Sequence, residues 1–136
     1  MSAKWAELVR DVQGRAANRC EYCRMHQALQ GASFHLEHII PSSAGGSDEL
    51  NNLAWACPSC NLKKSARRTV VDPETMAEVP LFDPRTQVWE DHFAWSKYEL
   101  IGRTPIGRGL VAAFDLNNNR RHLIREAEEY FDLFPP

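Results

Sequence analysis

The chain has 136 residues, 43% of them hydrophobic, and a formal charge of −2. That size supports one modest core, so a single compact domain over residues 1–136 is expected, with an extension packed on it rather than two independent domains. No run approaches the roughly 18 apolar residues of a membrane span, and Met1 to Arg10 lacks a signal peptide's apolar stretch, which predicts a soluble, cytoplasmic protein. Near-neutral charge excludes a surface coated in positive potential, so any nucleic-acid binding must come from a local patch.

In chain order, Ser2 can cap a helix in which Trp5, Leu8, Val9, Val12 and Ala16 recur at helical spacing, ending near Asn18. Phe34 to Ile40 reads as a short strand closed by Pro41, and Ser42 to Asp48, with Gly45 and Gly46, reads as a loop. A second strand from about Leu53 to Ala56 runs into a helix expected over Asn61 to Arg68. Further on, Asp72-Pro73 and Asp83-Pro84 punctuate short apolar runs, and Phe93 and Trp95 alternate as on a half-buried strand. Thr104-Pro105 signals a helix start, with Ile106, Leu110, Val111 and Phe114 as its apolar stripe. A last helix follows Asn117 to Asn119, with Leu123, Ile124, Ala127, Tyr130 and Phe131 expected inward. No internal repeat or low-complexity tract is present.

Cys20-x-x-Cys23 and Cys57-x-x-Cys60 form two knuckles, each able to offer two sulfurs to one tetrahedral ion. In a reducing cytoplasm four cysteines point to zinc more than to disulfides, with a redox role for either pair as the alternative. A four-sulfur set leaves no open coordination position, so this zinc is expected to be structural. The stretch between the knuckles, residues 24–56, is longer than the roughly 15 to 20 residues of simple zinc ribbons. Something is inserted there.

The insertion holds Phe34-His35-Leu36-Glu37-His38-Ile39-Ile40-Pro41, then Gly45-Gly46, then Asn51-Asn52-Leu53, and the second knuckle continues into Asn61-x-Lys63-Lys64. In these elements and their order, about Cys20 to Arg68, the sequence resembles the HNH endonuclease family. The resemblance implies an α+β protein built on a ββα-metal core of about residues 20–68, preceded by a helix and followed by a short-strand and two-helix extension of about 69–136. It implies a nuclease that hydrolyses DNA phosphodiester bonds, RNA remaining open as a substrate. His38 corresponds to the general base, Glu37 and Asn61 to the ligands of a catalytic ion, and Asn52 to the middle residue of the motif, which holds the loop or the base in place.

These residue types suit the reaction. An imidazole takes a proton from water near neutral pH, and a divalent ion stabilises charge developing on phosphate oxygens. Oxygen donors at Glu37 and Asn61 favour Mg²⁺ or Mn²⁺, leaving zinc to the thiolates. Lys63, Lys64, Arg67 and Arg68 are candidate phosphate contacts, the alternative being a solvated helix face. Adjacent residues of a straight strand face opposite ways, so the strand is expected to bend at Glu37 and His38. The rival function is a zinc-stabilised nucleic-acid-binding module without catalysis; a small interaction protein whose knuckles merely fasten loops is the other.

Overall fold

The structure is a computed structural model that describes residues 2–136. The chain divides into two compact units, one ending at Ala66 and one running Arg67–Pro136. Both mix helices with two-stranded antiparallel sheets, an α+β architecture.

In the first unit, α1 (Ala3–Arg15) begins where Ser2 accepts the Trp5 amide at 3.0 Å. It ends three residues before the expected Asn18, because Ala17 and Asn18 adopt left-handed backbone conformations, φ 53° and 61°. Val12, on its inner face, is fully buried. Arg15 ties the helix to the next elements, donating to the Leu50 and Leu53 carbonyls at 2.9 and 2.6 Å.

Strand β1 (His35–His38) pairs antiparallel with β2 (Leu53–Ala56), from His35 opposite Ala56 to His38 opposite Leu53. β2 is buried along its whole length. Helix α2 (Pro58–Lys64) follows directly, giving the order strand, loop, strand, helix. It starts three residues earlier than expected, since Pro58 occupies the first turn, where its missing N–H costs nothing, and Cys57 caps it. It ends earlier too, at Ser65 with φ 47°.

The bend expected at Glu37 and His38 is not there. Pairing runs unbroken through both residues and continues as the Ile39 amide donates to the Asn52 carbonyl at 2.9 Å. The two side chains therefore leave opposite faces of the strand. Glu37 is 4% exposed, whereas the His38 side chain is 22% exposed.

In the second unit, β3 (Thr69–Val71) pairs with β4 (Glu78–Pro80), and after α3 (Trp89–His92), β5 (Phe93–Ser96) pairs with β6 (Glu99–Gly102). The turn after β3 is built on Asp72, whose oxygens accept from the Glu74 amide, the Thr75 hydroxyl and both arms of the Arg108 guanidinium, the last two at 2.9 Å. This pairing holds the Asp72 carboxyl well below the usual carboxylate range. A carboxyl depressed on folding stabilises above its unfolded value and loses that contribution as the pH falls through its folded one. The hairpin is thus expected to resist mild acid, and Asp72→Asn should lower the melting temperature at pH 7, the difference shrinking only in strong acid where the carboxyl is protonated.

Helix α4 (Pro105–Ala113) starts at Thr104, whose hydroxyl accepts the Gly107 amide. Leu110 and the following Phe114 are fully buried, as their spacing suggests. The rest of the buried face is Gly107 and Gly109 rather than Ile106 and Val111. A Cβ on Gly107 would lie 2.1 Å from the His92 carbonyl oxygen, so this close approach requires glycine.

Helix α5 (Asn119–Tyr130) inverts the expected polarity. Leu123, Tyr130 and the following Phe131 are 65%, 83% and 58% exposed, while Arg121, Arg125 and Glu128 are buried. The Arg125 guanidinium finds carbonyl acceptors at Tyr98 (2.7 Å) and Leu116 (2.5 Å) and stacks over the Trp95 ring at 5.0 Å. Those partners meet its hydrogen-bonding demand and make burial of the cation tolerable.

Candidate active site and metal centre

The first knuckle forms because the chain reverses at Arg24 (φ 67°), with the Arg24 amide on the Cys20 carbonyl and the Cys20 amide on the Met25 carbonyl. Glu21, within it, is buried and accepts the Trp55 amide at 2.7 Å, while its own amide donates to the Trp55 carbonyl. This two-way link lashes the knuckle to β2 and so to the second knuckle, which opens α2. Trp55 itself is core, 3% exposed, with its indole N–H on Gln27.

All four cysteines are buried and their sulfurs lie within 4.8 Å of one another, the Cys23 and Cys57 sulfurs at 3.9 Å. Zinc–sulfur bonds of about 2.3 Å in a tetrahedron put sulfurs about 3.8 Å apart. The cluster therefore suits a zinc ion. Burial pushes the Cys20 thiol well above its ordinary range, whereas hydrogen bonding from Cys20 draws Cys57 down. A cation at the centre offsets the cost of burying thiolates.

On the outward face of β1, the His38 Nε2 lies 2.6 Å from an Asp48 carboxylate oxygen. Asp48 is 66% exposed and ends the glycine loop. That loop is fastened by Asn52, whose side-chain oxygen accepts the Ile40 amide and whose nitrogen donates to the carbonyls of Ile40 and Ser47, at 2.8 to 3.1 Å. Asn52 is thus placed to hold the loop, and Asn51 is exposed.

On the inward face, Glu37 accepts a hydrogen bond from the Tyr22 hydroxyl at 2.7 Å and an ion pair from the Lys64 ammonium at 2.5 Å. Lys64 is 1% exposed and also donates to the His38 and Ile39 carbonyls at 3.0 and 3.1 Å, so all three of its protons are used. Burial raises the Glu37 carboxyl, and Lys64 and Tyr22 draw it back down. Two expectations change. Lys64 is not a surface phosphate contact, because its charge is spent on Glu37 and two carbonyls, whereas its neighbour Lys63 is half-buried. Nor does Glu37 fit as an open metal ligand, since each of its oxygens is already engaged and the cation beside it is Lys64.

Asn61 lies in the first turns of α2, half-buried, and does not cap that helix. Arg67 and Arg68 are exposed at the start of the second unit. Sequence reasoning missed two participants. Tyr22 sits inside a metal knuckle, where only its full burial marks it as a partner for Glu37. Asp48 follows the glycine pair, and its only signal was an acid on a loop that must fold back toward β1.

The Lys64 pair carries a direct expectation. Lys64→Met should cost about 3–5 kcal/mol, because it strands a buried carboxylate, and Glu37→Gln in the same chain should restore much of the loss. Urea unfolding of the single and double variants measures this; additive losses would show that the pair does not act as a unit.

Among the described residues no helix is long and apolar enough to cross a membrane. No curated protein and no solved structure matches the chain. The family model for HNH endonuclease matches residues 20–67, the stretch from the first knuckle through the paired strands to just past α2.

Proposed function

We propose that this chain is a divalent-metal-dependent nuclease hydrolysing DNA phosphodiester bonds, with His38 as general base. The observation that carries this reading is the placement of His38 at the end of β1, facing solvent, one ring nitrogen held by Asp48 and the adjoining loop fastened by Asn52. The imidazole takes a proton from water as the water oxygen bonds to phosphorus; the bond from phosphorus to the 3′ oxygen breaks, and that oxygen takes up a proton. Products carry 5′-phosphate and 3′-hydroxyl ends. Mg²⁺ or Mn²⁺ supplies charge stabilisation in this family when bound. Its expected donors, Glu37 and Asn61, are not both open in the arrangement described, so the steps given to the chain are those of His38 and the groups that hold it.

Zinc at Cys20, Cys23, Cys57 and Cys60 fastens the module, and reduced thiols of this kind suit the cytoplasm. The half-buried Lys63 and the exposed Arg67 and Arg68 serve as phosphate contacts. Lys63→Ala should weaken binding to all sequences alike and lower the salt slope by about one, which titrations at several salt concentrations measure.

The engaged state of Glu37 favours a second reading, a zinc-stabilised module that binds nucleic acid without cutting it. Plasmid incubated with the purified chain and Mg²⁺ or Mn²⁺, with His38→Ala alongside, separates the two. Cleavage lost in the variant supports the nuclease; binding with no cleavage in either protein supports the second reading.

A further inference from the structure

We infer that Asp48 is a positioning residue for His38, holding the ring through Nε2 so that Nδ1 is the atom that takes the proton from water. The inference rests on His38 being the general base.

A neutral imidazole carries one N–H and one acceptor nitrogen, and an ionised carboxylate only accepts. With Asp48 2.6 Å from Nε2, that nitrogen must be the donor. The lone pair then lies on Nδ1. As water gives up its proton, the water O–H bond breaks, an Nδ1–H bond forms, and the ring becomes a cation beside a carboxylate that stays ionised throughout. Asp48 thereby selects the tautomer and stabilises the imidazolium.

A lone exposed pair contributes little and would not hold a ring in place. This one is held by its backbone. Asn52 clamps the carbonyls of Ile40 and Ser47, the residue just before Asp48. The Gly46 amide donates to the Pro41 carbonyl at 3.0 Å, and a Cβ on Gly46 would lie 1.7 Å from the Ile40 carbonyl oxygen, so only glycine lets the loop close this tightly. On the other side, the Asn52 amide donates to the Glu49 carbonyl at 2.8 Å. Asp48 is pinned before and after, and its carboxylate is delivered to the ring. Glu37 is on the opposite face with its oxygens engaged, so it cannot serve this purpose. Asp48 also helps line an open cleft of about 700 Å³ with Lys4, Leu8 and Leu50. The middle asparagine of the motif thus acts on the base through this loop.

The test uses the full, zinc-loaded chain with Asp48→Ala, Asp48→Asn and Asp48→Glu. Partners that orient a functional histidine are worth roughly 10–100-fold, so Asp48→Ala and Asp48→Asn should lower kcat by about that factor while KM, melting temperature and Mn²⁺ binding stay near wild type. Asp48→Glu should recover part of the rate. Long-range ¹H–¹⁵N spectra, recorded where the ring is neutral, should show His38 as the Nε2–H tautomer in the wild type and as a mixture in Asp48→Ala. The inference is overturned by an Nδ1–H tautomer in the wild type, by an unchanged kcat in Asp48→Ala when His38→Ala is inactive, or by loss of Mn²⁺ binding in Asp48→Ala, which would make Asp48 a metal ligand. Full activity in His38→Ala removes the base reading itself, and the ring spectrum then still tells whether Asp48 sets the tautomer.

Discussion

His38→Ala is expected to abolish detectable cleavage of plasmid DNA while leaving the protein folded and its zinc in place. The size of the loss follows from what the ring does. A general base contributes roughly 10²–10⁴-fold, and a side chain that also orients the attacking water loses that positioning in the same step. The fold should tolerate the change because His38 is at the end of β1, its side chain is partly exposed, and its ring hydrogen-bonds the exposed Asp48. Its backbone carbonyl, which accepts from Lys64, is unaffected by the substitution. Supercoiled, nicked and linear forms resolved on a gel, beside zinc analysis and a melting curve, give the result. Cleavage at the wild-type rate in this variant would sink the mechanism. Loss of activity together with loss of zinc would show instead that the substitution had damaged the fold.

Removing the metal from the cysteine cluster is expected to unfold the first unit. Structural zinc in small fingers binds with roughly 10–16 kcal/mol of apparent free energy at pH 7, much of it folding free energy. Here the four sulfurs join the turn after α1 to the start of α2, and β1 and β2 are held between them. Cys60→Ser, or treatment with a strong chelator, should therefore abolish the near-ultraviolet signal of the buried Trp55 and expose the chain up to Ala66 to proteolysis. Metal analysis after dialysis should find about one zinc per chain. Absence of zinc, with the four thiols paired as disulfides, would overturn the assignment. The Glu21 link to Trp55 makes the outcome cooperative, because losing the first knuckle also removes hydrogen bonds from β2.

Much of this was legible because it rests on local rules. Ser2 and Thr104 cap their helices as such residues do, and β2 coincides with the expected Leu53 to Ala56. The paired knuckles needed no structure to be recognised, since ligand type and spacing already demand a common ion. Periodicity failed at α5, where two stripes competed and the polar one went inward. A pattern of apolar residues cannot show that carbonyls of Tyr98 and Leu116 will be waiting for Arg125. It failed in part at α4 as well, where burial falls on glycines that let backbones touch, and a missing side chain leaves no apolar signal to read.

The sequence by itself determined that a four-sulfur site encloses a strand pair, that a histidine lies within the first strand, and that an asparagine precedes the second. Those conclusions follow from residue chemistry and from the order of the chain, neither of which depends on packing. Only the tertiary structure decided which charges meet. The unbroken register of β1 against β2 turns Glu37 inward to Tyr22 and Lys64 and turns His38 outward to Asp48, because neighbouring side chains of a straight strand cannot share a face. It also set Lys63 and Lys64 apart, adjacent in sequence yet one half-buried and the other in a low-dielectric pocket with its protons fully used. What reaches a carboxylate or an imidazole from across the fold is a matter of three-dimensional distance, and distances of that kind are not written along the chain.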